Sequence, residues 1–375
     1  MEEWQDILSR SITRVSELKT YFDVDTQKTQ RVVNKYPMRI NPYFIDLIQN
    51  RGDVIWKQCI PDIAEIEDPF GMKDPLSEEV DSPVVNLTHR YPDRVLLLVT
   101  DQCAVYCRFC TRKRKVGHKF VVTDDTIRAG IEYIRKTKKV KDVVLSGGDP
   151  LLLTDKKLEW ILKSLKEIRH IDIIRIGTRI PCTLPQRVTK RLTKLLKKYH
   201  PLYINTHFNH PNELTKEAQI ACEKFADAGI PLGNQTVLLR GINDDPDIIK
   251  DLFRKLLTFR VKPYYLFQSD FVRGANHFRT TIQEGLEIMR KLQGYISGLA
   301  VPHFAVDMPG GGGKIPLLPN YIVKINNREI IMRNYKGRIY RYPQITELTP
   351  VPEEPVTVTQ QELFTEVETT VGAKK

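Results

Sequence analysis

Apolar residues along this chain keep two different periods, and the change between them falls near Arg94. Before it, Trp4, Ile7, Leu8, Ile12, Val15, Leu18 and Phe22 recur at the spacing of one face of an α-helix. Asn41-Pro42 reads as a helix start, with asparagine as the cap and proline at the first helical position. Residues 61–88 are rich in Pro, Asp and Glu, which predicts an extended, wrapping segment. From Arg94 onward short apolar runs alternate with amphipathic stretches. Val95-Leu96-Leu97-Leu98-Val99 lacks polar alternation, as expected of a parallel strand covered on both faces. Further strands are expected near 142–146, 171–177, 202–207, 234–239, 262–267 and 301–307. Helical stretches at 123–137, 155–168, 213–228 and 280–294 lie between them, with Leu158, Ile161, Leu162, Leu165 and Ile168 forming a stripe on the second. This alternation predicts an α/β fold built as a parallel, partly closed barrel. A doubly wound sheet has the same alternation, and the pattern alone does not separate the two.

After Lys314 the pattern becomes that of β-hairpins. Tyr321 to Ile325 and Ile330 to Met332 flank Asn326-Asn327, and a second turn follows at Lys336-Gly337. From Thr349 onward Pro, Glu, Thr and Val dominate, which predicts a flexible tail. The expected organisation is therefore a helical and wrapping segment (1–88), a barrel (89–314), a β-hairpin extension (315–348) and a tail (349–375).

Composition excludes several classes. At 41% hydrophobic and 28% charged residues the chain is an ordinary globular protein. It has no apolar run of about 18 residues, so no membrane span is expected. Met1-Glu2-Glu3-Trp4 carries neither the basic start nor the apolar run of a secretory leader, and the expected location is the cytoplasm. The net charge of +12 would suit a nucleic-acid-binding protein. Against that remote alternative, the basic residues are spread along the chain and no basic stripe interleaved with aromatics is present. The one dense run, Arg108 to Lys119, lies beside cysteines. A basic cleft for anionic small molecules accounts for the charge, and no nucleic acid partner is expected.

Of six cysteines, Cys103, Cys107 and Cys110 crowd together, while Cys59, Cys182 and Cys222 are scattered and read as reduced, partly buried thiols. Cys103-x-x-x-Cys107-x-x-Cys110 follows the first buried strand, at the rim where barrels keep their chemistry. Three thiolates on a four-iron cluster leave one iron open to a chelating ligand. Structural zinc takes four ligands, typically as two separated pairs, and here only His118 could complete such a site. Ser146-Gly147-Gly148-Asp149 ends the second strand and is by itself only a turn. Asp307-Met308-Pro309-Gly310-Gly311-Gly312-Gly313-Lys314-Ile315-Pro316 is not a nucleoside triphosphate loop, because Met308 takes the first glycine position and Ile315 follows the lysine. A hinge would explain the glycines but not the flanking prolines or the lysine. A lysine held among backbone amides could instead form a Schiff base with pyridoxal phosphate.

The cysteine spacing resembles the signature of the radical S-adenosylmethionine superfamily. The whole set of features resembles the lysine 2,3-aminomutase family, which also uses pyridoxal phosphate. Matching stretches run from Tyr36-Pro37-Met38-Arg39 through Asp74-Pro75-Leu76 to the Tyr335-Lys336-Gly337 turn. The longest are Leu87 to Leu98, the cysteine loop with Thr111-Arg112, and Pro309 to Tyr321. This resemblance implies a partial (β/α)6 TIM-like barrel with an N-terminal helical segment and a small β-rich C-terminal extension. It implies a [4Fe–4S] cluster on Cys103, Cys107 and Cys110, with S-adenosylmethionine near Ser146, Gly147, Gly148, Asp149, His207 and Gln235. Lys314 becomes the Schiff-base lysine, and Arg90 and Arg94 hold the cofactor phosphate, a dianion to which two arginines are suited. Arg112 takes the substrate carboxylate, and Asp270 and Asp307 take its side-chain ammonium.

Read from the residues alone, Arg90 and Arg94 would be surface ion pairs, His207 a satisfied core histidine, and the aspartates caps or turn residues. The implied activity interconverts L-lysine and L-β-lysine through a 5′-deoxyadenosyl radical. Arginine 2,3-aminomutase and an elongation-factor-associated lysine 2,3-aminomutase remain alternatives, whereas glutamate-specific relatives replace the two acids. An electron donor such as flavodoxin or ferredoxin is implied, together with a homo-oligomer. The chain has no cysteine after Cys222, so the C-terminal zinc staple of clostridial members is not expected.

Overall fold

The computed structural model describes residues 2–118 and 122–344. Its principal element is a nine-stranded sheet. The strands are β1 (Leu87–Tyr91), β2 (Arg94–Thr100), β3 (Asp142–Gly147), β4 (Ile173–Gly177), β5 (Leu202–Thr206), β6 (Leu232–Leu238), β7 (Val261–Gln268), β8 (His303–Met308) and β9 (Gly313–Pro316). They lie side by side in chain order. From β2 to β8 every neighbouring pair is parallel, while β1 and β9 are antiparallel edge strands. A doubly wound sheet reverses its winding at a switch point. Here each crossover advances to the next strand, which is barrel winding.

The crossovers are the helices Asp124–Lys136, Asp155–Lys166, Lys190–Leu196, Lys216–Asp227, Pro246–Thr258 and Ile282–Leu292. Each starts at a Thr or Asp whose side chain accepts a backbone N–H of the first turn: Thr123, Thr154, Thr189, Thr215, Asp245 and Thr281. Each buries one apolar stripe against the sheet, for example Leu158, Ile161, Leu162 and Leu165.

The N-terminal region differs from expectation in two places. The first apolar stripe is split into Glu3–Ser9 and Val15–Leu18, because Ile12 pairs in extended form with Ile40 through both backbone groups. Segment 61–88 is not wholly extended. It contains a helical turn, Ala64–Glu67, where Asp62 accepts the Ala64 N–H and Glu65 accepts the Asp62 N–H. It then enters β1 at Leu87. The Asn41 cap stands as expected, its side chain accepting the Phe44 N–H at the start of Pro42–Ile45.

The nine-stranded sheet runs from Leu87 to Pro316, slightly wider than the 89–314 expected. Beyond it, β10 (Ile322–Ile325), β11 (Glu329–Arg333) and β12 (Ile339–Pro343) form a separate antiparallel sheet with turns where the sequence places them. The predicted tail, 349–375, lies outside the described residues. Among the described residues no helix is long and apolar enough to cross a membrane.

Candidate active site

A cavity of about 430 Å³ runs from the cysteine loop at the C-terminal rim down the barrel interior to Arg94 at the start of β2. Every site residue named from the sequence lines it.

The cysteine loop leaves β2 and is held from below by a buried charge cluster. Arg108 donates through Nε and Nη2 to Glu65 at 2.8 and 2.7 Å, and Lys113 Nζ donates to the same carboxylate at 2.6 Å. Arg108 also reaches the Tyr36 and Pro37 carbonyls, and Lys113 reaches those of Arg108 and Gly274. Burial pushes the Glu65 carboxyl up, but the two adjacent cations outweigh it and hold the pKa below its usual value. Arg108 and Lys113 of the basic run are therefore internal structure. Arg114 and Lys115 continue the pattern by pairing with Glu79.

The six cysteines are free thiols; Cys59, Cys182 and Cys222 are buried, as expected. Cys103, Cys107 and Cys110 share one cavity wall. Among the described residues no three His, Cys, Asp or Glu side chains converge as ligands of a single ion. Arg179, at the end of β4, donates from Nη1 to Cys107 Sγ at 2.7 Å.

The glycines at the end of β3 serve a purpose the sequence did not suggest. Gly147 has φ +133°, and a Cβ there would stand 2.1 Å from the Thr100 carbonyl oxygen; at Gly148 it would stand 2.2 Å from that of Gln102. The backbone N–H groups of Gly148 and Asp149 donate to those same carbonyls. Glycine is required so that this segment can lie backbone to backbone against the start of the cysteine loop. Asp149 is buried and its carboxylate is fully engaged by Thr178 Oγ1, the Arg179 N–H and the Leu151 N–H. It shapes the rim.

The lysine in the glycine run sits on a strand. β8 and β9 form a tight hairpin whose register sets Asp307 opposite Lys314. Lys314 Nζ contacts both Asp307 carboxylate oxygens at 3.0 and 2.9 Å and lies over the Phe267 ring. The Lys314 backbone N–H donates to Tyr91 Oη at 2.9 Å. Asp270, just beyond β7, accepts from Thr111 Oγ1 at 2.7 Å. Burial, reinforced by the nearby Asp307 charge, pushes its pKa up to about 6. Arg112 is fixed by Glu78 through Nε at 2.8 Å and turns Nη1 towards Ser146 Oγ.

His207 Nε2 meets Asn209 Oδ1 at 2.9 Å. Because that oxygen also accepts the Val237 N–H, the histidine is the donor and its Nδ1 is left as an acceptor. Burial, followed by the Arg179 charge, lowers the His207 pKa to about 3, so the ring is neutral. Arg90 pairs with Asp81 at 2.8 Å and with the Leu76 carbonyl. Arg94 pairs with Asp93 at 3.1 Å and stacks on Tyr91. Both arginines make the ion pairs that the residues alone suggested while also facing the cavity.

Several lining residues carried no sequence signal: Arg179, Glu78, Tyr91 and the aromatic wall of Tyr264, Tyr265 and Phe267. The aromatics could have been suspected from their position near the end of a barrel strand. The others depend on long-range placement.

A parallel barrel with three cysteines on the loop after its first parallel strand defines a radical S-adenosylmethionine enzyme, and residues 97–252 match the model of the radical SAM superfamily. Residues 289–375 match the model described as lysine-2,3-aminomutase. The chain is 50% identical to L-lysine 2,3-aminomutase of Methanococcus maripaludis over 91% of its own length and 82% of the relative's. It is 50% identical to that of Fusobacterium nucleatum, covering 94% of this chain and 85% of the relative. Glutamate 2,3-aminomutase of Clostridioides difficile is 46% identical over 90% of this chain and 79% of the relative. The chain belongs to the lysine 2,3-aminomutase family. With that membership come the family's cofactors: a [4Fe–4S] cluster, S-adenosylmethionine and pyridoxal phosphate.

Proposed function

We propose that this protein is an L-lysine 2,3-aminomutase, interconverting L-lysine and L-β-lysine. The observation that carries this reading is the placement of Asp270 and Asp307 in one cavity with Arg112 and Lys314. Two carboxylates suit a cationic side chain and would repel that of glutamate, while a guanidinium suits the α-carboxylate.

The residues present fit the family's three cofactors. Cys103, Cys107 and Cys110 would hold the cluster, and the Ser146 to Gly148 segment, Gln235 and the free Nδ1 of His207 would meet S-adenosylmethionine. Lys314, with its side chain 35% exposed, would hold pyridoxal phosphate, and Arg90 and Arg94 would meet its phosphate. The chemistry supplied when these groups are bound is one-electron cleavage of a sulfonium to a carbon radical and delocalisation of an unpaired electron during the amino shift.

The protein's own part is positioning. Arg112, held in place by Glu78, orients the substrate carboxylate. Asp307, with its carboxylate oxygens 3.0 and 2.9 Å from Lys314 Nζ, fixes the position of that nitrogen in the cavity. Tyr264, Tyr265 and Phe267 line the cavity with rings that exclude water from a radical. The free cysteines fit a reducing cytoplasm and a low-potential one-electron donor such as flavodoxin or ferredoxin.

The test is anaerobic incubation of reconstituted enzyme with reductant, S-adenosylmethionine and lysine, arginine or glutamate in turn. β-Lysine, identified by mass and by the position of its amino group, is expected as the dominant product. Faster turnover of arginine or glutamate would overturn the substrate assignment. Borohydride reduction should fix the cofactor on Lys314, and labelling at another lysine would remove that residue from its role.

A further inference from the structure

Beyond the three cysteines, one buried cation touches a thiol of the cluster loop. Arg179 is 9% exposed and stands at the end of β4. Its Nη1 donates to Cys107 Sγ at 2.7 Å, and its Nη2 donates to Gln58 Oε1 at 2.6 Å and to Glu213 Oε1 at 2.7 Å. Phe44 and Phe109 lie against its guanidinium at 5.6 and 5.2 Å. Its main-chain N–H is fixed by Asp149 at 2.7 Å. Glu213 is fully buried and is held in turn by the backbone N–H groups of Asn209 and His210. Asn209 Nδ2 donates to Gln58 Oε1 at 3.1 Å, and Asn209 Oδ1 accepts from His207.

Such enclosure is more than a buried ion pair needs. Arg179 and Glu213 would satisfy each other without the sulfur. Instead Glu213, Gln58 and two rings fix the guanidinium, and Asp149 fixes its backbone, so that one arm points at Cys107.

We infer that Arg179 is a positioning residue that sets the reduction potential of the iron–sulfur cluster through Cys107. This rests on the reading of Cys107 as a cluster ligand. Reduction adds one electron, and hence one negative charge, to the cluster. A cation and an N–H donor at a ligand sulfur stabilise that added charge and raise the potential. Burial makes the effect larger than at a solvated site. The same network ends on His207, so the tuning group and the candidate S-adenosylmethionine histidine are held in one rigid unit. Gln58 belongs to the helix Val54–Cys59, so the N-terminal segment contributes directly to this setting.

The test is an EPR-monitored redox titration of the reconstituted protein without S-adenosylmethionine. It compares wild type, Arg179→Gln and Arg179→Lys. Arg179→Gln should keep its cluster but show about a tenfold lower ratio of reduced to oxidised cluster at a given ambient potential, a negative shift of about 59 mV for one electron. Arg179→Lys keeps the charge and should recover at least half of that loss. An Arg179→Gln midpoint equal to wild type, or an equal shift in Arg179→Lys, would overturn the inference. If Arg179→Gln fails to bind iron, Glu213→Gln decides. Removing that carboxylate should move the midpoint positive, and an unmoved midpoint overturns the proposal. Cys107→Ala retaining the wild-type reduced-cluster signal would instead bring down the assignment of the ligand itself.

Discussion

At the scale of single residues the charge states in the cavity make a measurable prediction. Asp270 has its pKa raised to about 6, first by burial and then by the charge of Asp307. Below that pH it is protonated, and proton and substrate ammonium compete for one carboxylate. Affinity for lysine should therefore fall as pH drops through about 6 and level off above it, seen as a rising KM in steady-state assays. Asp270→Asn should raise KM at least tenfold, roughly 1.5–3 kcal/mol for a charge-assisted contact, and should abolish that pH dependence. Persistence of the same slope in the variant would assign the titration to another group. Neutral His207, with a pKa near 3, leaves this pH window free of its own titration.

At the scale of elements, the cysteine loop is rigid because two neighbours hold it. Glu65 binds Arg108 and Lys113 from the N-terminal segment, with all three side chains buried. Glu65→Gln leaves two buried cations short of a counter-charge, and removing one partner of such a cluster costs about 3–5 kcal/mol. Thermal unfolding should register the loss, and iron content after reconstitution should fall with it. Retention of wild-type stability would show that the cluster is dispensable. From the other side, Gly148→Ala would force a Cβ to within 2.2 Å of the Gln102 carbonyl oxygen. Overpacking of that kind costs about 1–3 kcal/mol, and the displaced backbone leads directly to Cys103. The variant should fold with a lowered melting temperature and a depleted cluster, and unaltered iron loading would contradict this.

At the scale of the whole molecule, the sheet is an incomplete barrel whose two edges, β1 and β9, meet at a side chain. Tyr91 Oη accepts the Lys314 N–H, and Gly313 is pressed close enough that a Cβ would lie 3.2 Å from that oxygen. The Gly310 N–H reaches the Pro75 carbonyl and extends the seam into the wrapping segment. Tyr91→Phe removes the acceptor and should cost about 0.5–1.5 kcal/mol. Its larger effect should be on kcat, because β9 carries Lys314 and would lose its tether. Equal kcat in wild type and variant would show that the hairpin alone positions the lysine. The seam also explains why the N-terminal segment cannot be treated as an appendage: Gln58, Glu65 and Pro75 each touch the rim or its supports.

The alternation of strands and helices, the loop that carries Cys103, Cys107 and Cys110, and the glycine-rich setting of Lys314 are legible in the amino-acid order alone. These are local properties, expressed in periods of a few residues or in short spacings. The amino-acid order left barrel and doubly wound sheet unresolved, because both bury the same apolar runs and only the order of strands distinguishes them. It also left unmarked the partners that act across distance. Glu65 supports Arg108 over 43 positions and Arg179 reaches Cys107 over 72. Asp307 and Lys314 are only seven positions apart, yet their pairing depends on hairpin register. A single charged residue has no periodicity of its own, so its role is decided only when folding brings it into a buried site where an unpaired charge would be costly. Only the folded chain shows which cations hold the loop, which one faces a sulfur, and which line the cavity.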